Sequence, residues 1–183
     1  MENLGRGVVA VRSSSTQAYV GWRMVGTDSP GIAFNLYRST GGGVPALLNS
    51  SPITATTDFV DSTADFTQSN AYFVRAVIDG IEQSSSTPST LPANVAVQQY
   101  KSVPLQIPPG GTFMGSSYTY SANDTTVADL DGDGEYEIIV KWDPSNSRDT
   151  ASTGYSGPCI IDAYKLNGTR LWRLNLGPNI RAG

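Results

Sequence analysis

The chain has 183 residues, enough for one medium domain or two small ones, with 39% apolar residues and a net charge of −4. It holds no histidine and one cysteine, which removes imidazole catalysis and ligation, an internal disulfide framework and any CxxC site. No basic run exceeds two residues, so nucleic acid is not an expected partner, and no apolar stretch nears the roughly 20 residues that cross a bilayer.

In chain order, the pattern is short β-rich runs separated by Gly, Ser, Thr, Asn and Pro, with no amphipathic helical stretch. Strands are predicted at Gly7–Arg12, Ala18–Arg23, Ile32–Arg38 and Ala71–Val77, with Asp79-Gly80 as a hairpin turn into Ile81-Glu82. In the third run Phe34, Leu36 and Ile32 share a core face, Asn35 and Tyr37 take the other, and Trp22 is an anchor between two sheets. This resembles a fibronectin III-like β-sandwich, assigned to residues 1–95. Ser84–Pro92 reads as a linker or strand-end boundary, and Ile107–Gly111 as a second connector.

From about residue 118 four strands are expected: Thr125–Ala128, Tyr136–Trp142, Cys159–Tyr164 and Arg170–Leu174. Asn167-Gly168 between the last two predicts a two-residue hairpin turn with positive φ at both positions. Four such strands match one antiparallel β-propeller blade, assigned to residues 96–183, so the propeller is incomplete. Cys159, beside Pro158 and ahead of Ile160-Ile161, reads as a buried small hydrophobe.

The chemistry concentrates in Asp129-Leu130-Asp131-Gly132-Asp133-Gly134-Glu135-Tyr136-Glu137. Calcium takes about 6–8 oxygen ligands, and a loop supplies them by turning alternate residues inward. Asp129, Asp131 and Asp133 occupy positions 1, 3 and 5, Gly134 makes the sharp turn, Glu135 offers its carbonyl, and Glu137 closes the site. The flanks are strand-like and the closing Glu comes early, so this is a strand-loop-strand site rather than an EF-hand. The plain alternative is a solvated acidic turn. Crowding of five carboxylates favours Ca²⁺, in a structural role, over that turn and over Mg²⁺.

Several runs carry a wider resemblance: Tyr120–Asp124, the acidic loop, Lys141–Asn146, Ile161–Leu166 and Asn179–Gly183, with Leu4–Val11, Gly21–Arg23 and Phe34–Arg38. Together they resemble the N-terminal part of rhamnogalacturonan lyases of polysaccharide lyase family 11. The resemblance implies a secreted, calcium-using enzyme that cleaves the pectin backbone by β-elimination on a propeller body. It also implies that Asn123 and Asp143 contact substrate, although by chemistry alone each is equally a turn residue. Such lyases are several-fold longer, so most of the ring falls outside the resemblance.

β-Elimination beside a uronate needs a cation on the carboxylate and a base for the α-proton. Lys101, Lys141, Lys165 and the tyrosines have no neighbour in sequence that marks them as bases, so no catalytic residue is assigned and the chain is expected to be inactive alone. Polysaccharide binding is the expected role, and a stand-alone carbohydrate-binding module for plant cell-wall polysaccharide is the alternative, with Tyr118, Tyr120, Trp142 and Tyr155 as candidate stacking rings. Open blade edges suggest self-association. Met1–Gly5 lacks the charge and apolar pattern of an export leader, so the chain is either cytosolic or has lost one; a secreted protein is the favoured reading.

Overall fold

A computed structural model describes residues 3–181; Met1, Glu2 and the Ala182-Gly183 end of the last resemblance run lie outside the described residues. No helix occurs among them, so none is long and apolar enough to cross a membrane. The chain divides into two compact units: Met1–Ser102 with Asp133–Glu135, and Val103–Gly132 with Tyr136–Gly183.

The first unit starts with β1 (Val9–Arg12), β2 (Ala18–Gly21), β3 (Ala33–Thr40), β4 (Ala46–Leu47) and β5 (Asp58–Asp61). It continues with β6 (Asn70–Ile78), β7 (Ile81–Ser85) and β8 (Ser89–Leu91). One sheet has the order β1-β2-β5; the other runs β4-β3-β6-β7, with β8 also paired to β6. Alternation drives the packing: Val20, Phe34, Leu36, Tyr72 and Val74 come from both sheets into one core, and Trp22 meets Phe34 edge-on at 5.6 Å. The Asp79-Gly80 turn has positive φ at both residues and sets Ile78 opposite Ile81.

Of the two readings of Ser84–Pro92, the linker is corrected, while a strand end does fall within the run, at Ser85. Ser84 and Ser85 belong to β7, and β8 follows, with Ser89 and Leu91 buried. Hydroxyls explain how so polar a run enters a sandwich: Ser89 Oγ accepts the Ala10 N–H (3.1 Å), and Ser86 Oγ accepts the Val74 N–H (3.1 Å).

The second unit opens with a hairpin, β9 (Gly111–Phe113) and β10 (Ser116–Tyr118), that the sequence pattern did not predict. Then β11 (Tyr120–Ala128), β12 (Glu137–Pro144), β13 (Ile160–Tyr164) and β14 (Arg170–Asn175) form an antiparallel sheet in simple sequence order. Tyr120, Val140, Trp142, Ile160 and Tyr164 form its core, with Leu105, Tyr118 and Ile138 packed on them.

The β13–β14 turn differs from the two-residue form expected. Only Gly168 of the pair has positive φ (86°), the Gly168 N–H donates to Lys165 O, and the Lys165 N–H donates to Thr169 O. That is a three-residue loop closed by a left-handed glycine, and the pairing slips between Ala163 and Tyr164 to absorb the extra residue.

Each unit buries a carboxylate hub. Asp61 accepts bonds from Thr63 N–H and hydroxyl (2.8 and 2.7 Å), Tyr72 (3.0 Å) and Arg38. Asp162, fully buried, accepts from Arg173 Nε (2.7 Å) and Nη2 (2.6 Å), the Trp142 indole (2.8 Å) and the Tyr164 hydroxyl (2.6 Å). Burial works to raise both carboxyls, but the donors outweigh it and hold both below the ordinary value of 3.8.

Two outcomes follow from the hubs. Depressed folded values mean that their contribution to stability is complete above the ordinary carboxyl range and is lost as pH falls through the folded values. Acid titration followed by circular dichroism should therefore show unfolding below that range, and a melting temperature that stays flat down to pH 2 would contradict it. Asp162→Ala should destabilise the second unit by about 3 kcal/mol, measured by denaturant melts, because it strands Arg173, Trp142 and Tyr164.

Candidate functional site

The acidic loop joins β11 to β12. Asp129, Asp131 and Glu137 each bring a carboxylate oxygen to within 4.8 Å of the others. Two oxygens bound about 2.3–2.6 Å from one ion stand at most about 5 Å apart, so this trio fits calcium in spacing and in donor type. Glu137 is 1% exposed and its Oε2 accepts the Leu130 N–H at 2.8 Å, which draws the loop's entry onto its exit. Asp129 Oδ1 accepts the Gly132 N–H at 2.8 Å, in a turn where Gly132 holds a φ of 77°.

A cation of the protein's own already attends the trio. Lys165, at the end of β13, places Nζ 2.6 Å from Asp131 Oδ2. Asp133 and Glu135 fall with the first unit instead. Asp133 Oδ1 accepts the Glu135 N–H (2.9 Å), and Glu135 Oε2 stands 3.4 Å from the Arg23 guanidinium. Gly134 has a φ of 85°, its carbonyl accepts the Gly5 N–H at 2.7 Å, and a Cβ there would come 3.0 Å from Gly5 N.

Asn123 and Asp143, twenty residues apart in sequence, are brought into contact: Asn123 Nδ2 donates to Asp143 Oδ2 at 2.6 Å. A bulge makes this possible. Ala122 pairs with Trp142 and Thr125 with Val140, so Asn123 and Asp124 together oppose the one residue Lys141. On β12, Val140 and Trp142 point into the core, and Lys141 and Asp143 lie at the alternating positions. Lys141 Nζ sits 3.2 Å from Asp143 Oδ1.

The candidate bases divide clearly. Lys141 and Lys165 are both ion-paired to carboxylates. Tyr120 is pushed up to about 12, first by burial, and Tyr164 is raised by burial and by its bond to Asp162. Burial likewise raises the Cys159 thiol, which matches its reading as a buried small hydrophobe. The residues missed from sequence are Lys165 as a partner of the loop, and Asp162 with Arg173. The signal for that hub is the cross-strand register that places Asp162 opposite Arg173, which depends on the bulge at Leu171 as well as on the hairpin loop, since the loop alone would set Asp162 opposite Trp172.

Residues 1–91 match the rhamnogalacturonan I lyase beta-sheet domain, and residues 100–183 match the rhamnogalacturonan lyase family 11 C-terminal domain. The chain is 50% identical over its whole length to the Bacillus subtilis rhamnogalacturonan endolyase YesW and 48% identical to the exolyase YesX of the same organism. It spans 28% of the length of each of these relatives. Superposition on the YesW crystal structure gives a TM-score of 0.84, covering all of this chain and 29% of that one. A Bacillus licheniformis rhamnogalacturonan lyase gives 0.84 at 52% identity, with 30% of its chain covered. In sequence and in fold the chain therefore belongs to rhamnogalacturonan lyase family 11, as an N-terminal portion of such an enzyme.

Proposed function

We propose that this chain supplies a calcium-fixed, sugar-contacting blade of a rhamnogalacturonan lyase, and that by itself it binds pectic polysaccharide without cleaving it. The observation that carries this reading is the Asn123–Asp143 pair at the β11 bulge, an amide and a carboxylate joined on a strand whose alternate residues anchor the core. Such a pair offers one donor and several acceptor positions to sugar hydroxyls. The relatives are a rhamnogalacturonan endolyase and exolyase. For a β-elimination, as the family resemblance implies, a base removes the proton beside the uronate carboxyl, the glycosidic oxygen departs, and a carbon–carbon double bond remains.

Asp129, Asp131 and Glu137 would hold the calcium, with Asp133 and Glu135 completing the loop that presents them. Bound there, the ion supplies structural charge neutralisation for the turn between β11 and β12. The four-stranded sheet is the unit from which a propeller is assembled. Among the described residues β11 and β14 each pair on one side, leaving edges for a further strand from a longer chain or a second copy. The pairing of Lys141 and Lys165 with carboxylates, and the raised Tyr120 and Tyr164 phenols, weigh against these four as bases. Pectin lies outside cells, which favours secretion.

Calcium should stabilise the second unit by about 3 kcal/mol at a hundredfold excess over Kd. Glu137→Gln should weaken binding by at least about tenfold, read by calorimetry. A melting temperature indifferent to both calcium and chelator would remove the metal from the proposal. With rhamnogalacturonan in the gel, affinity electrophoresis should retard the chain, while ultraviolet absorbance of unsaturated uronate stays at baseline. Turnover would overturn the non-catalytic part; unretarded migration would overturn the binding part.

A further inference from the structure

A long connection, residues 145–159, joins β12 to β13. Connections of that length are usually either functional or disordered, and this one is held by hydrogen bonds. Its foot is fixed where Asn146 Nδ2 donates to Ser116 Oγ and the Gly157 N–H donates to Asn146 Oδ1, each at 2.8 Å. Its outer part is gathered on an arginine from beyond β14. Arg181 Nη1 donates to Asp149 O (3.0 Å) and Ser152 O (2.6 Å), and Nη2 donates to Gly154 O (3.2 Å). Carbonyls thus engage three of its five N–H donors, which orients the guanidinium without cancelling its charge.

A second arginine lies against the same residue. Arg148 is exposed, and a Cβ on Gly154, whose φ is 110°, would stand 2.9 Å from Arg148 Nε and 3.3 Å from its Cζ. Glycine is what lets this side chain lie across the backbone there. Since both guanidinium groups adjoin Gly154, they are no more than about 10 Å apart, which is about one Debye length at 0.1 M salt. Most of the chain's other cations are matched by carboxylates, as in Arg6–Asp28, Arg38–Asp61 and Arg173–Asp162. Among the described residues, neither Arg148 nor Arg181 stands in an ion pair. Asp149, the one carboxylate of the connection, turns Oδ1 back to the Ala151 N–H at 2.7 Å. Two like charges held this close are relieved of their repulsion when an anion joins them.

We propose that Arg148 and Arg181 form a subsite for the carboxylate of a galacturonate residue of the polysaccharide. This rests on the polysaccharide-binding reading above and supplies what that reading lacks. A chain of net charge −4 repels a polyanion unless cations are gathered locally to receive it. The planar guanidinium fork matches the two oxygens of a carboxylate, which an ammonium cannot do. Arg181 keeps two N–H donors for such a ligand, and Arg148 keeps its fork, which no hydrogen bond engages among the described residues. The three carbonyls set Arg181 in place before the ligand arrives, so less freedom is lost on binding. A neutral sugar gains nothing from the paired charges, so the subsite distinguishes the acidic member of the repeat.

The test is calorimetry of the full chain, at low salt, with oligosaccharides of alternating rhamnose and galacturonate. The same oligosaccharides, with their carboxyls reduced to primary alcohols, are the second ligand. The native chain should prefer the acidic form. Arg148→Gln should weaken binding of that form by about threefold to fivefold and leave binding of the reduced form unchanged. Arg181→Gln should lose at least as much, again on the acidic ligand alone. Equal loss on both ligands makes Arg181 only an anchor of the connection and removes it from the subsite. Asp143→Asn serves as the reference for the underlying reading. If Asp143→Asn weakens binding and Arg148→Gln does not, the subsite is wrong and the polysaccharide reading survives. A native chain that binds both ligands alike overturns the subsite as well. No binding of either ligand overturns both readings.

Discussion

A charged carboxylate can stay inside a β-sheet when each of its oxygens meets donors, and the second unit is organised around that demand. Asp162 draws one donor from β12, one from β13 and a two-pronged guanidinium from β14. The attachment fixes register. Arg173 sits directly opposite Asp162, and a one-residue slip of β14 would carry the guanidinium to the other face. The residue before the Ile107–Gly111 connector is tied to the same point, since Gln106 N–H donates to the Tyr164 hydroxyl and Gln106 O accepts from Arg173.

What the site does follows from this anchoring. Trp142 reaches the hub and fills the core, so its neighbours Lys141 and Asp143 are held at the opposite alternation. The bulge at Asn123-Asp124 then brings an amide to Asp143 that a regular ladder would have placed elsewhere. Rigid β12 thus presents the polar pair at one end, while its other end, Glu137, fixes the acidic loop.

Much of this was legible in the sequence where local rules operate. Alternating Phe34 and Leu36, the Asp79-Gly80 turn and the glycine-punctuated acidic loop each announced their structure through period or backbone freedom. What stayed hidden depends on distant partners. Ser86 and Ser89 look like linker residues until Val74 and Ala10 arrive to donate to them. The β9–β10 hairpin lacks an apolar alternation, and it turns on Met114-Gly115, both at positive φ, where a methionine gives no warning. Asp133 shares the spacing of Asp129 and Asp131, yet its Oδ1 accepts the Glu135 N–H while Asp129, Asp131 and Glu137 group their oxygens, a division that spacing does not reveal.

The ammonium of Lys165 beside Asp131 has a bearing on the order in which folding and loading occur. A placeholder charge lowers mutual repulsion in the newly made turn, so the polypeptide can reach its native pairing without a divalent ion. Under the calcium reading proposed above, loading would ask this lysine to yield or share its oxygen. Occupancy would therefore be felt at the β13–β14 hairpin, which makes the hairpin a natural place to install a reporter of ion uptake.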